Sequence, residues 1–166
     1  MFAVLNLSVN FVRPIPFLLL LVAIGPLTVA IVGTRIGTTA IIVPLSVATT
    51  FGVSRIVEQN LVTIDPGIIE AARATGASRW RIISTLLIPE ALGPLILGYT
   101  FVFVAVVDMS AVAGYLAGGG LGDFALQYGY KRWNYQVVAV AVIVIIVIVQ
   151  TVQAIGNRLS RVALRR

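Results

Sequence analysis

Between Asp65 and Glu90 the chain reads DPGIIEAARATGASRWRIISTLLIPE, the one long polar interruption in an otherwise apolar sequence. Glu70, Arg73, Arg79 and Arg81 are its central charges, set around Ala71, Ala72, Gly76 and Ala77. The chemistry open to them is recognition rather than catalysis. The chain has no histidine and no cysteine, which removes imidazole bases, thiol nucleophiles, disulfides and the usual transition-metal ligands. The acids Glu58, Glu70, Glu90 and Asp108 make no paired site for acid–base work, so an integral membrane enzyme is disfavoured. No catalytic residue and no metal site are assigned.

The elements that position these residues follow from local rules. Asp65 is a good N-cap, and Pro66 at the first helical position loses nothing by lacking an N–H. Ile68, Ile69 and Ala72 give an apolar stripe, with Glu70 and Arg73 as an i,i+3 pair on another face. Gly76 is placed to end this helix in a left-handed C′ conformation. Ser78 caps a second helix through Arg79, Trp80 and Arg81, which Pro89 should limit. Such an amphipathic pair cannot lie in hydrocarbon and must dock on something.

Around this hairpin the composition is that of a polytopic membrane protein: 166 residues, 59% hydrophobic and 11% charged. The net charge of +6 does not indicate nucleic acid, because the arginines are not clustered with interleaved aromatics. No cleavable signal is evident, since the first apolar run is too long and lacks a small-residue cleavage site. Four runs are long enough to cross a bilayer at roughly 17–25 residues each. They are 15–32, with Gly25-Pro26 expected to kink it, then 37–54 with Pro44 inside, 91–113 with Asp108 inside, and 135–155. The last is rich in Val and Ile, yet in lipid the backbone must close its own hydrogen bonds, so helix is expected there too. The fold class is therefore all-α: a four-span helical bundle in a single domain, 1–166, with a helical loop at 58–90. Residues 2–5 with Phe11 and Val12 fit an interfacial helix or a continuation into the first span.

Arginine placement sets the orientation. Arg13, then Arg55, Arg73, Arg79 and Arg81, then Arg158, Arg161, Arg165 and Arg166 fall on one side of a four-span layout. Only Arg35, Lys131 and Arg132 fall on the other. Both termini and the loop are thus expected in the cytoplasm.

Glu70-Ala71-Ala72, Gly76, Leu86 and Ile88-Pro89 resemble the EAA loop of ABC-importer permeases, whose form is E-A-A, three residues, G, nine residues, I-x-L-P. The resemblance narrows towards methionine-importer permeases through Arg13-Pro14-Ile15-Pro16-Phe17, Val32-Gly33-Thr34, Ile42-Val43-Pro44-Leu45, Leu87-Ile88-Pro89-Glu90-Ala91-Leu92, Gly119-Gly120-Leu121-Gly122 and Gln127-Tyr128-Gly129-Tyr130. It implies a permease of the bacterial cytoplasmic membrane that pairs with a second copy of itself. It also implies a dimeric ABC ATPase seated on the loops, which binds the ATP, and an external binding protein that delivers an amino acid. This chain would carry no cofactor of its own. In that setting Glu70 and Arg73 position the first coupling helix, and Ala71, Ala72, Gly76 and Ala77 allow close packing. Arg79 and Arg81 meet an acidic ATPase surface. Members of that family have five spans, and Met1 falls just before the second. An internal start, a shortened chain or a degenerate copy would each account for this. A truncated scaffold that binds an ATPase without transporting is the competing function.

The resemblance departs at Val106-Val107-Asp108-Met109-Ser110-Ala111, where family members have small or aromatic residues in place of Asp108 and Met109. Two readings fit Asp108. It lines the substrate path and meets an ammonium group, with Met109 and Ser110 beside it. Otherwise it sits at the outer end of its span, solvated or paired with Lys131 or Arg132. Gly118, Gly119, Gly120 and Gly122 likewise read either as a gate segment or as an ordinary outer turn. Tyr128, Tyr130, Trp133 and Tyr135 read as an interfacial aromatic belt.

Overall fold

The computed structural model describes residues 9–12, 14–114 and 119–164, and the described residues are helical with turns between. Residues 2–5, Arg13, Gly118, Arg165 and Arg166 lie outside the described set. The order is α1 (Phe17–Ala23), α2 (Gly25–Val32), α3 (Thr38–Val62), α4 (Pro66–Ala74), α5 (Arg79–Ile82), a π-helical turn (Ile83–Leu87) and α6 (Ile88–Ala113). Then come α7 (Gly120–Phe124), a second π turn (Ala125–Gly129), a 3₁₀ turn (Tyr130–Arg132) and α8 (Tyr135–Leu164).

Among the described residues, three helical stretches are long and apolar enough to cross a membrane: Thr38–Val62, Arg79–Ala113 and Tyr135–Leu164. The expected first span is two short helices, broken at Ile24. The cause is local. Pro26 has no N–H to give to the preceding turn, and Thr28 ties both its backbone N and its Oγ1 to the Ile24 carbonyl, at 2.9 and 3.1 Å.

Two helices run past the apolar stretches read from the sequence, and one expected stop is absent. The first of them outruns 37–54. α3 continues to Val62, because no breaker occurs before Thr63 and an Arg55–Glu58 ion pair of 2.7 Å bridges one turn of the extension. α8 likewise runs past the apolar stretch 135–155 to Leu164. Pro89 does not limit the second loop helix: α5, the π turn and α6 form one stretch of 35 residues from Arg79 to Ala113. A π turn carries one extra residue, and that slack accommodates the proline ring and its missing donor. Ser84 Oγ donates to Trp80 O at 3.0 Å and Thr85 Oγ1 to Arg81 O at 2.7 Å, so side chains bond carbonyls beside the turn.

The bundle packs on α6, which has its most extensive contacts with α8 and α3. Small residues set those seams, as they do where backbones must approach closely in lipid. A methyl group added at Gly156 would collide with Thr100, and one at Gly98 with Ile56. Ser160 on α8 is buried and donates to the Gly93 carbonyl of α6 at 2.9 Å. Below these seams Ile64, Ala91 and Leu95 form a buried cluster, flanked by Val57, Leu61 and Leu87. The cluster pins the α3–α4 linker to the foot of α6.

Candidate functional site: the helical hairpin

Each end of the hairpin is closed by the residue its sequence supplies. Asp65 Oδ1 accepts from Gly67 N at 2.8 Å, with Pro66 in the first turn. At the other end Gly76 has φ +78°. Gly76 N donates to Arg73 O at 2.9 Å and Ala77 N to Ala72 O at 3.1 Å. That pair of bonds is a Schellman closure, and it needs the left-handed residue that glycine provides without strain. Ser78 Oγ then accepts from Arg81 N at 3.3 Å and starts α5.

What these caps hold out is an uncovered surface. α4 has no buried residue. Ile68 is exposed, Ile69 and Ala72 are half-buried, and Trp80 is 76% exposed. Ile82 alone in α5 turns inward, at 6%. The surface is cationic: Arg73, Arg79 and Arg81 are all exposed. Glu70 and Arg73 do not form the expected pair, since the ion pair among the described residues is Arg55–Glu58. Both side chains stand in open solvent, where a single i,i+3 pair gains only a few tenths of a kcal/mol, about 0.2–0.5. The hairpin residues Glu70, Ala71, Ala72, Arg73, Gly76, Ala77, Arg79 and Arg81 are thus brought onto one projecting element, with its apolar stripe bare.

The residues expected along a substrate path diverge. Asp108 is exposed and makes no ion pair with Lys131 or Arg132. Lys131 instead donates to Gln127 Oε1 at 3.0 Å, and the Arg132 guanidinium lies 5.0 Å from the Tyr128 ring centre. Met109 lines a cavity of about 160 Å³ shared with Phe17, Leu20 and Phe51. Ser110 lines a different one, of about 250 Å³, with Leu121 and Ile145. Steps of roughly 100° per residue around a helix send the three apart.

In the glycine segment Gly119 and Gly120 have φ +73° and +83°. Gly122 lies against the Ala111 backbone and Gly114 against the Asp123 backbone nitrogen. Two groups were missed by sequence reasoning. The π turn at Ile83–Leu87 has no composition signal. Arg35, which reads simply as an outer charge, lies against Gly25, where an added methyl would be 3.7 Å from its Nε. The glycine at a helix break was the signal that a side chain could lodge there.

A bundle of membrane-length helices with a capped, uncovered helical hairpin defines a multi-pass membrane protein with a docking element. The chain matches the family of binding-protein-dependent transport system inner membrane components over residues 2–163, and it belongs to that family. It is 46% identical to a probable D-methionine transport system permease protein of Vibrio cholerae, over 95% of this chain and 70% of that one. A methionine import system permease protein of Bacillus subtilis is 37% identical over 96% of this chain and 72% of its own length. The solved MetNI methionine ABC transporter, in inward-facing conformations, contains a chain of the same fold. Its TM-score is 0.91 at 40% identity, covering 95% of this chain and 73% of that chain. Those relatives are transport permeases rather than enzymes, and the motif-based reading of family and function holds.

Proposed function

We propose that this chain is the membrane-spanning subunit of an ATP-driven importer for methionine or a close relative, working as a homodimer. The observation that carries the proposal is the hairpin. Its first helix is capped at both ends and buries nothing within the chain, and its second starts at the Ser78 cap, buries only Ile82 and runs without a break into the long helix α6. An element built this way is made to seat in a partner, and the match to methionine permeases in sequence and fold supports an ABC ATPase dimer as that partner. Arg79 and Arg81 face acidic ATPase surface, while Ala71, Ala72 and Ala77 let the helices sink into its groove. ATP is bound and hydrolysed on that subunit. Its closure moves the hairpin, and the spans turn this into alternating access. A binding protein outside the cell delivers the substrate.

In this reading the chain is one permease domain of four crossings, the first being the broken pair α1–α2. Both termini and the hairpin are cytoplasmic, following the arginine distribution. Asp108 with Met109 and Ser110 remains a candidate for the outer half of the pathway, and Gly118, Gly119, Gly120 and Gly122 for its gate.

The test is reconstitution with the ATPase and the binding protein. Methionine uptake that depends on ATP and on all three components is expected. ATPase binding without uptake would leave a scaffold and refute the importer. Orientation is checked in intact cells with single cysteines. Ser78→Cys should resist a membrane-impermeant thiol reagent added outside, and Trp133→Cys should react. The reverse pattern would overturn the topology.

A further inference from the structure

A cleft of about 200 Å³ opens where α1 and α2 separate, bounded on its other side by α3 and the loop between. Its lining includes Val22, Gly25, Thr28, Arg35, Ala40 and Pro44. The charge in it is Arg35. The loop from Gly33 to Gly37 reverses the chain with φ +77° and +102° at those two glycines, and Thr34 Oγ1 accepts from Ile36 N at 3.1 Å. This turn sends the Arg35 side chain back along α2 to Gly25, at the helix break. An arginine beside a membrane helix normally reaches for the interface. Here it lies against the middle of an apolar stretch, and a cation in that setting marks a cavity or a pathway.

None of the six acidic residues offers it a counter-charge. All six lie among the described residues, and the ion pair there is Arg55–Glu58. The guanidinium therefore has its planar, two-pronged donor face free for an anion of matching geometry, such as a carboxylate.

The same cleft has a backbone acceptor. Pro44 lacks the N–H that would bond the Ala40 carbonyl in a regular helix, and Ala40 lines the cleft. That carbonyl suits an ammonium group, and Leu21, Val22 and Ile41 supply apolar wall for a side chain. We propose that this cleft is a transient binding site for the zwitterionic head of the transported amino acid. In it Arg35 takes the carboxylate, and the Ala40 carbonyl opposite Pro44 takes the ammonium. The site rests on the importer reading above and places substrate recognition on α1–α3, away from Asp108.

The cysteine-free chain makes the test direct. Val22→Cys, an exposed position on the cleft, is modified by a negatively charged methanethiosulfonate in the detergent-purified complex with its ATPase. Methionine should slow the reaction about tenfold when present at about ten times its Kd. Methioninol keeps the ammonium and thioether but lacks the carboxylate, and at the same concentration it should protect far less. Arg35→Gln should weaken methionine protection about tenfold or more, since a charge-assisted bond is lost. Arg35→Lys, which keeps the charge but not the fork, should fall between. Equal protection by methionine and methioninol, or none by either, would overturn the site. Uptake by the reconstituted complex with native Val22 is measured alongside. If that complex moves methionine while the cleft ignores the carboxylate, the site alone is wrong. If it moves no methionine, the importer reading falls first and the site with it.

Discussion

Replacing Gly76 with valine isolates the hairpin from the bundle. At φ +78° a methyl group on Gly76 would meet nothing within 4 Å. The cost is therefore backbone strain, not a clash with a neighbour. A left-handed conformation costs an L-residue about 1–2 kcal/mol, and a β-branched side chain sits at the unfavourable end. The alternative to strain is to open the turn, losing the bonds from Gly76 N and Ala77 N to Arg73 O and Ala72 O. Each is solvent-exposed and contributes about 0.5–1.5 kcal/mol. Either route costs the docked geometry about 2 kcal/mol, or roughly thirtyfold in its population. The buried Ile64–Ala91–Leu95 cluster and the seams along α6 are untouched. Expression, membrane insertion and detergent stability should stay at wild-type levels, while affinity for the ATPase and coupled uptake fall together. Asparagine tolerates the left-handed region better than other non-glycine residues, so Gly76→Asn should lie closest to wild type, followed by Ala and then Val. Titration of purified permease with ATPase, and uptake in proteoliposomes, give the two readouts. Wild-type affinity for the valine variant, or asparagine falling as far as valine, would refute the reasoning.

Gly156→Ala overpacks the α6–α8 seam at Thr100 and should lower thermal stability in detergent by about 1–3 kcal/mol. Adding Thr100→Ala removes the colliding atoms and should restore most of it, so a double variant no more stable than the single one would sink the account. Ser160→Ala strips the buried bond to the Gly93 carbonyl, and thermal unfolding should report a loss of about 0.5–1.5 kcal/mol, since that carbonyl lies inside α6 and keeps its helical partner. Asp108→Asn removes an exposed charge. If Asp108 handles substrate, uptake of a zwitterionic amino acid should drop more than that of an uncharged analogue, whereas equal rates would assign it no part in the pathway.

The hairpin was legible in the sequence because caps are local. Asp65, Pro66, Gly76 and Ser78 act within a turn of where they stand, and each does what its type dictates. Helix ends that depend on a neighbouring turn were not legible. Pro89 reads as a stop until the π turn before it is known, and no residue type encodes that turn. The apolar run 37–54 marks where hydrocarbon suits the side chains, yet a helix needs only closed backbone hydrogen bonds, and α3 continues to Val62 with Arg55, Glu58 and Asn60 making side-chain bonds along it. Glu70 and Arg73 have the right spacing for a pair, but spacing in open water does not hold two flexible side chains together. Arg35 is the largest omission. Its position follows from a chain reversal across Gly33 and Gly37 that brings residues ten apart into contact, and periodicity cannot express that.

In the importer proposed above, the unbroken helix from Arg79 to Ala113 would act as a lever. Its 35 residues measure about 50 Å, and there is no hinge where a membrane surface would cut it. Pro94, the proline inside α6, is held between buried Gly93 and Leu95. Taken as one rigid rod, the helix turns about the π turn, which separates a short arm at the hairpin from a long arm through the bundle. A tilt of about 5° there swings Ala113, roughly 40 Å away, by roughly 3 Å. Two copies leaning in opposite senses would double the displacement. In that reading a small shift at Trp80 would be geared up into a movement the width of an amino-acid side chain, with no sliding or refolding in between.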